Sequence, residues 1–165
     1  MSKPALKRLL RDYNQLKSLE EKGELGFTIK LKEEDSLFVW WITINKFNED
    51  SHLKLQFDAH PEIPREVTFE FYFPQDYPFQ PPKVRVITPR FTRGKSYIIE
   101  GGAICIDTFT PKNWSAVFGI ETCLYSVISL LNQDDLENAI EEGTYSDSEG
   151  EASLKKIKLY HPSWF

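Results

Sequence analysis

This 165-residue sequence has only two cysteines, no long apolar run and no excess of basic charge, and each shortage excludes a class of protein. The two cysteines, Cys105 and Cys123, cannot build a disulfide framework, and without paired spacing or a nearby pair of histidines no metal site is expected. No run approaches the roughly 20 apolar residues of a membrane span, and the charged N-terminus differs from a signal peptide. We therefore expect a cytoplasmic or nuclear protein with no membrane partner.

Charge separates one segment from the rest of the chain. The net charge of −5 argues against a nucleic-acid partner, which would require a strong basic excess. Eight of the 25 acidic residues lie between Asp134 and Glu151, where no Lys or Arg occurs, so the remainder is slightly basic. The length fits one domain. We predict a core domain over residues 1–133, an acidic flexible segment over 134–153, and a short C-terminal helix or tail over 154–165.

Apolar periodicity predicts an α+β fold. A stripe from Leu6 to Leu16 indicates an N-terminal helix over about residues 4–20, and a second stripe indicates a helix over residues 120–131. Four strands of an antiparallel meander are predicted, three from alternating apolar and polar residues at 27–31, 53–57 and 67–73 and one from an apolar run at 37–44 that is too apolar on both faces to be fully exposed. A further short strand is predicted over residues 84–87.

Two segments between these elements have no sustained period. Residues 74–82 hold four prolines, which fix φ and cannot donate to a sheet, so a rigid extended loop is predicted. Residues 89–114 form a long irregular stretch, and such stretches in a compact domain usually build a site. Cys105 lies in this stretch and is the candidate nucleophile, whereas Cys123 falls in the apolar stripe of a helix and is predicted to be a core residue.

No histidine can be assigned as a partner of Cys105. His52, His60 and His161 are scattered along the chain, which disfavours a papain-like protease. The residues by themselves leave Cys105 either a catalytic nucleophile or a structural cysteine.

Four segments occur in an order that is informative. They are YPFQPPKV at Tyr77–Val84, ICID at Ile104–Asp107, the Trp114–Ser115 pair, and the helix over residues 120–131. Together they resemble the proline-rich loop, the active-site segment, the Trp-Ser pair and the following helix of the ubiquitin-conjugating enzyme family, over about residues 4–132. The resemblance implies a UBC-like fold with an N-terminal helix, a four-stranded antiparallel meander, an active-site loop, a central helix and a divergent C-terminal region.

The resemblance also implies a transferase activity centred on Cys105. A family member accepts ubiquitin, or a ubiquitin-like protein, from an activating enzyme as a thioester on this cysteine. It then passes the modifier to Lys, or to Ser or Thr, with or via a ubiquitin ligase. No cofactor is implied, because ATP is used by the activating enzyme. Thioester exchange has a good leaving group and needs only a reachable thiolate.

The chain departs from the family pattern in three places. Where most members have His-Pro-Asn, with an Asn that aids the oxyanion, residues 97–99 read Tyr-Ile-Ile. The pattern from Tyr97 through two glycines to Cys105 is most similar to the Q-type subfamily, which also lacks His-Pro-Asn. Ala116 replaces the proline that usually follows Trp-Ser, and the C-terminal region matches poorly.

Roles are transferred by position and remain hypotheses. Catalytic assistance is assigned to Asp107, Tyr97 and Asn113, and to backbone N–H donors of Gly101 and Gly102. Contacts with the activating enzyme are assigned to Lys7, Arg8 and Arg11, and contacts with a ligase to Phe79, Ser115 and Ala116. Asp134 or Asp135 is a candidate acidic gate, and Ser146 and Ser148 are candidate sites for an acidophilic kinase.

Two alternatives stay open. A catalytically inactive variant, or an RWD-like binding module of the same fold, would explain the missing His-Pro-Asn, although such modules usually lack the cysteine. A conjugating enzyme for another ubiquitin-like modifier would carry the same cysteine.

Overall fold

The computed structural model describes residues 3–92 and 94–164. Residues 1, 2, 93 and 165 lie outside the described ranges. The start of the predicted core domain and the last residue of the predicted C-terminal tail therefore lie outside them as well. Within the described ranges, no helix is both long enough and apolar enough to cross a membrane.

The described residues form four α-helices, one larger sheet and one small sheet. The helices are α1 (Lys3–Lys22), α2 (His52–Ala59), α3 (Ile120–Leu131) and α4 (Asp147–Tyr160). The larger sheet pairs β1 (Phe27–Leu31), β2 (Val39–Ile44), β3 (Val67–Tyr72) and β4 (Lys83–Thr88) in sequence order, all antiparallel. The small sheet pairs β5 (Arg90–Phe91) with β6 (Ile140–Glu141). The predicted α+β class, with an N-terminal helix, a four-stranded meander and a central helix, is confirmed.

The two faces of the larger sheet differ in chemistry because side chains alternate along each strand. Ile42 lies opposite Phe69 on an apolar face, and both are fully buried in the core that includes residues of α1 and α3. Glu70 lies opposite Arg85 on the other face. Arg85 donates from that face to the carbonyl of Ser146 at 3.0 Å, directly before α4. The C-terminal helix therefore lies on the polar face of the sheet.

The predicted strand at residues 53–57 is wrong, because this segment is the helix α2. Leu53 and Phe57 are buried and Leu55 is exposed, which is the i, i+4 spacing of one helical face. Over five residues that spacing coincides with strand alternation. Ser51 caps the helix by accepting from a backbone N–H of the first turn. The fourth strand of the meander is β4, which follows the proline-rich loop.

The predicted start of the C-terminal helix at residue 154 is wrong, because α4 begins at Asp147. Ser146 and Glu149 form a capping box, in which each side chain accepts from the other residue's backbone N–H. Arg90 binds Glu149 at 2.7 Å. The predicted acidic flexible segment contains no Lys or Arg of its own. Arg85 of the larger sheet and Arg90 of β5 form ion pairs with its carboxylates, and the segment is helical from Asp147 onward.

Candidate active site

A tight turn precedes Cys105 by eight residues. Ser96 and Tyr97 both adopt positive φ, at 47° and 62°. The N–H of Ile98 donates to the carbonyl of Lys95 at 2.9 Å, which closes a four-residue turn with the backbone twist of type I′. Such turns favour Gly and Asn, so the residue types here gave no sign of it.

Cys105 is held by backbone hydrogen bonds on both sides. Its N–H donates to the carbonyl of Tyr97 at 2.8 Å, and the N–H of Ile104 donates to the carbonyl of Val84 in β4 at 3.0 Å. The sheet and the turn thus fix the position of the cysteine backbone. A short 3₁₀ turn, Asp107–Phe109, follows directly.

Cys105 lines a cleft of about 750 Å³ between this segment and α3. Two of the residues predicted to assist catalysis line the same cleft. Its lining consists of Tyr97, Cys105, Ile106, Asp107, Thr108, Thr122, Tyr125, Ser126 and Ser129.

The polar face of α3 is the part of the cleft that sequence reasoning missed. Thr122, Ser126 and Ser129 recur at helical spacing opposite the apolar stripe, and Tyr125 lies beside them. Ser126 donates to the carbonyl of Thr122 at 2.8 Å. Hydroxyl-bearing residues on the exposed side of an amphipathic helix are common, and only the fold shows which cleft they face.

The Cys105 side chain is covered on the side away from α3. Only 5% of the residue is exposed, and it packs with Ala103, with Ile157 of α4 and with the half-buried Leu154. This burial raises the pKa of the Cys105 thiol above its ordinary value. Cys123 is fully buried in the main core, as predicted, and burial raises the pKa of its thiol to about 12.

We expect Cys105 to react with iodoacetamide more slowly than an unfolded cysteine, because only the thiolate reacts and burial disfavours it. The rate should still rise at a pH above the ordinary thiol pKa of about 8.5. Mass spectrometry of the two cysteine peptides measures both rates, and Cys123 should stay unmodified in the folded protein. Ile157→Ala should accelerate Cys105 severalfold, whereas Leu159→Ala, at an exposed position of the same helix, should not. Equal rates in both variants would contradict the covering role of α4.

Asn113 does not reach the cleft. It is exposed, it is absent from the cleft lining, and its N–H donates to the carbonyl of Thr110 at 3.2 Å. Of the three residues predicted to assist, Tyr97 and Asp107 therefore meet Cys105 at one site and Asn113 does not.

The hypothesis that Gly101 and Gly102 supply oxyanion donors is not supported by their surroundings. The N–H of Gly102 donates to the carbonyl of Ile99 at 2.9 Å, so the hypothesis is wrong for this residue. An added Cβ on Gly102 would lie 2.9 Å from the Tyr145 ring, and one on Gly101 would lie 2.7 Å from Ser153 Cβ. Both glycines are needed because their φ values are near +90° and the C-terminal region lies against them.

Asp135 is engaged away from the cleft. Its Oδ2 accepts from the N–H of Ser96 at 2.7 Å, and neither Asp135 nor the exposed Asp134 lines the cleft. The candidate acidic gate is therefore not placed beside Cys105. In the described residues, no group of three or more His, Cys, Asp and Glu side chains is arranged to hold a metal ion.

The basic residues of α1 divide into two kinds. Lys7 and Arg11 are exposed, as binding of an activating enzyme would require. Arg8 is not free, because its Nε binds the buried Asp12 at 2.8 Å and its other nitrogens donate to two carbonyls in the loop after Trp114. Arg8 joins α1 to that loop, and its contact with an activating enzyme stays a prediction.

The predicted ligase contacts lie on two adjacent loops. Phe79 is 75% exposed. Trp114 Nε1 donates to the carbonyl of Pro78, the residue before Phe79, at 2.7 Å. Ser115 and Ala116 are half-buried in the second loop, whereas Val117 beside them is 86% exposed. Phe79 and Val117 thus present apolar side chains to solvent.

Sequence comparison relates the chain to one family. The model of the family "Ubiquitin-conjugating enzyme" matches residues 8–159. "Ubiquitin-conjugating enzyme E2 25" of Caenorhabditis elegans is 30% identical, over 95% of this chain and 41% of its own length. A human relative, named as a Q-like protein of the ubiquitin-conjugating enzymes, is 27% identical, over 91% of this chain and 92% of its own. The chain thus spans about two fifths of the worm relative's length but nearly all of the human protein's.

Structural comparison gives the same relationship. The structure of human ubiquitin-conjugating enzyme E2 G1 superposes with a TM-score of 0.55 at 25% identity. The match covers 74% of this chain and 92% of that structure. An E2 structure from Plasmodium falciparum has a TM-score of 0.56 at 17% identity, covering 75% of this chain and 83% of that one, and supports the fold alone.

Proposed function

This chain belongs to the ubiquitin-conjugating enzyme family, a family of transferases, and we propose that it carries ubiquitin or a related modifier as a thioester on Cys105. One observation supports this most directly. Cys105 lines an open cleft with Tyr97 and Asp107, whereas Cys123 is sealed in the core. Relatives named as Q-like conjugating enzymes match most of the chain.

Loading is a thioester exchange at the Cys105 sulfur. The Cys105 thiolate attacks the carbonyl carbon of the thioester on the activating enzyme, and a new C–S bond forms. The C–S bond to the activating enzyme's cysteine breaks, and that cysteine leaves as a thiolate. The reaction needs no general base once the thiolate is present. The raised pKa of the Cys105 thiol makes thiolate formation the costly part of this step.

Discharge to an acceptor needs more of the cleft. The acceptor's amine or hydroxyl attacks the thioester carbonyl carbon and loses a proton, the carbonyl oxygen develops negative charge, and the Cys105 thiolate leaves as the C–S bond breaks. Among the described residues of the lining, Asp107 is the only carboxylate, and it is the proton acceptor of the proposal. The Tyr97 hydroxyl is the oxyanion donor, in the role that Asn has in most relatives. The acceptor residue is Lys, or Ser or Thr.

Partner binding is proposed for two surfaces. Lys7 and Arg11 on α1 contact the activating enzyme, and Phe79 with Val117 contacts a ligase. Exposed aromatic side chains on rigid loops are common anchors of protein interfaces. The proposal places the protein in the cytoplasm or nucleus, without a cofactor, membrane or nucleic-acid partner.

Loading is tested with activating enzyme, ATP and ubiquitin, followed by gels with and without thiol reductant. A reductant-sensitive adduct is expected with wild type and with Cys123→Ala, and none with Cys105→Ala. Cys105→Ser should give an oxyester that persists in reductant. If no ubiquitin-like modifier forms an adduct with the folded wild-type protein, the proposal fails and a binding module of the same fold is favoured.

Tyr97→Phe is expected to slow discharge to a free amine or hydroxyl by about tenfold or more, because loss of an oxyanion donor costs at least this much when the donor is used. Loading should be unchanged. The rate is measured by single-turnover decay of the preformed thioester. Tyr160→Phe, at a similarly exposed tyrosine outside the cleft, is the matched control. Unchanged discharge in Tyr97→Phe would remove the hydroxyl from the mechanism.

A further inference from the structure

The turn at residues 95–98 has an unusual backbone. Ser96 and Tyr97 are consecutive, neither is glycine, and both have φ in the left-handed region. Side chains other than those of Gly, Asn and Asp rarely adopt this region, because Cβ approaches the carbonyl oxygen. Such a conformation persists only where surrounding contacts determine it.

Two hydrogen bonds hold Ser96 in this conformation. Ser96 is fully buried, and its hydroxyl donates to the carbonyl of Leu130 near the end of α3 at 2.7 Å. Its backbone N–H donates to Asp135 Oδ2, also at 2.7 Å. The second bond has a carboxylate acceptor and the short length of a charge-assisted hydrogen bond. Ser96 is thus attached both to α3, through Leu130, and to the segment that follows α3, through Asp135.

The held residue directly precedes Tyr97. Tyr97 is 63% exposed, so packing alone restrains its ring little, and its backbone sets where the ring lies. The Tyr97 carbonyl accepts from the N–H of Cys105 at 2.8 Å. Asp135 is therefore connected to the cysteine by one hydrogen bond to Ser96, the peptide bond from Ser96 to Tyr97, and one hydrogen bond from Cys105 to Tyr97.

We infer that Asp135 and Ser96 are positioning residues that hold Tyr97 over the Cys105 cleft for discharge. The inference rests on the proposed function, because it assigns Tyr97 a role in discharge. Neither residue lines the cleft, so neither touches the reacting atoms. Loading does not require the Tyr97 hydroxyl, and the bond from the Ile104 N–H to Val84 in β4 still holds the cysteine segment, so a disturbed turn affects discharge and leaves thioester formation intact.

The first test compares two adjacent carboxylates. Asp135→Ala should slow single-turnover discharge by about 10- to 100-fold, as expected for a small displacement of a catalytic group, with thioester loading unchanged. Asp134→Ala removes the neighbouring carboxylate, which is exposed like Asp135 but is not the acceptor of the Ser96 N–H, and should leave both rates as in wild type. Asp135→Asn keeps an oxygen acceptor for the Ser96 N–H and should restore most of the discharge rate. Discharge at the wild-type rate in Asp135→Ala would overturn the inference.

The second test shows that the effect passes through the tyrosine hydroxyl. Asp135→Ala should slow discharge in wild type, and it should add no further slowing in a Tyr97→Phe background. Equal slowing in both backgrounds would indicate a general structural defect and would overturn the inference. The amide exchange of Ser96, followed by NMR, should accelerate in Asp135→Ala. Failure of the wild type to load would instead overturn the proposed function itself.

Discussion

Replacing Arg85 with methionine is expected to lower the free energy of unfolding by about 3 kcal/mol, since removing one partner of a buried ion pair leaves the other uncompensated. The Arg85 side chain is 4% exposed, and its Nε binds Glu70 Oε1 at 2.9 Å. Its other nitrogens bind Asp147 and the carbonyl of Ser146. Lys32 still pairs with Glu70 at 3.0 Å, which places the loss at the lower end of the usual range. Methionine preserves apolar volume and limits the cavity.

Urea unfolding measures the Arg85→Met effect, and Arg65→Met is the control. Arg65 is half exposed and pairs with Asp58 on the surface, where an ion pair contributes little, so its loss should leave stability within error of wild type. Because Arg85 also holds the start of α4, the variant should alkylate Cys105 faster. Equal stability of both variants would show that the Arg85 contacts contribute nothing net.

The same contacts give the Arg85→Met experiment a pH dependence. Burial would raise the pKa of Glu70, but hydrogen bonds from Trp41 and Arg85 outweigh it and hold that pKa below its ordinary value. Hydrogen bonds from Lys32 and Arg85 lower the pKa of Asp147 as well. A carboxyl group whose pKa is lower in the folded state than in the unfolded state stabilises the protein at pH values above its unfolded pKa of about 4. This stabilisation is lost as the pH falls through the pKa of the folded state. Wild type should therefore lose more stability than Arg85→Met on acidification below about pH 5.

The sequence predicts those helices and strands whose pattern of apolar residues is long enough to distinguish a helical period from strand alternation. Helices α1 and α3 each repeat an apolar stripe over three turns or more, and the burial of Cys123 follows from that stripe. The eight-residue α2 is too short for this, because Leu53 and Phe57 fit a strand and a helix equally well.

Contacts between distant residues account for what the sequence did not predict. Arg8 reads as a solvated cation in its own helix, and its partners in the loop after Trp114 lie more than 100 residues away. The acidic segment reads as disordered because its cations, Arg85 and Arg90, come from other elements. Likewise, the turn at Ser96 and Tyr97 depends on tertiary hydrogen bonds and not on turn-forming residue types.

Gly102→Ala is expected to lower the free energy of unfolding by about 3–5 kcal/mol, combining backbone strain with overpacking. Gly102 has a φ of +93°, and an added Cβ would lie 2.8 Å from the Val86 carbonyl and 2.9 Å from the Tyr145 ring. Neither β4 nor Tyr145 can yield without moving the C-terminal region that covers Cys105. Denaturant unfolding and the Cys105 alkylation rate measure the two consequences.

The control for Gly102→Ala separates strain from overpacking. Gly23 also has a positive φ, +69°, but nothing lies within 4 Å of its added Cβ. Gly23→Ala should therefore cost only about 1 kcal/mol from backbone strain, with Cys105 alkylation unchanged. If Gly102 served only as a backbone donor, Gly102→Ala would leave both stability and loading unchanged, because alanine keeps the N–H. Equal, small losses in the two variants would show that the segment before Cys105 is not packed against the C-terminal region.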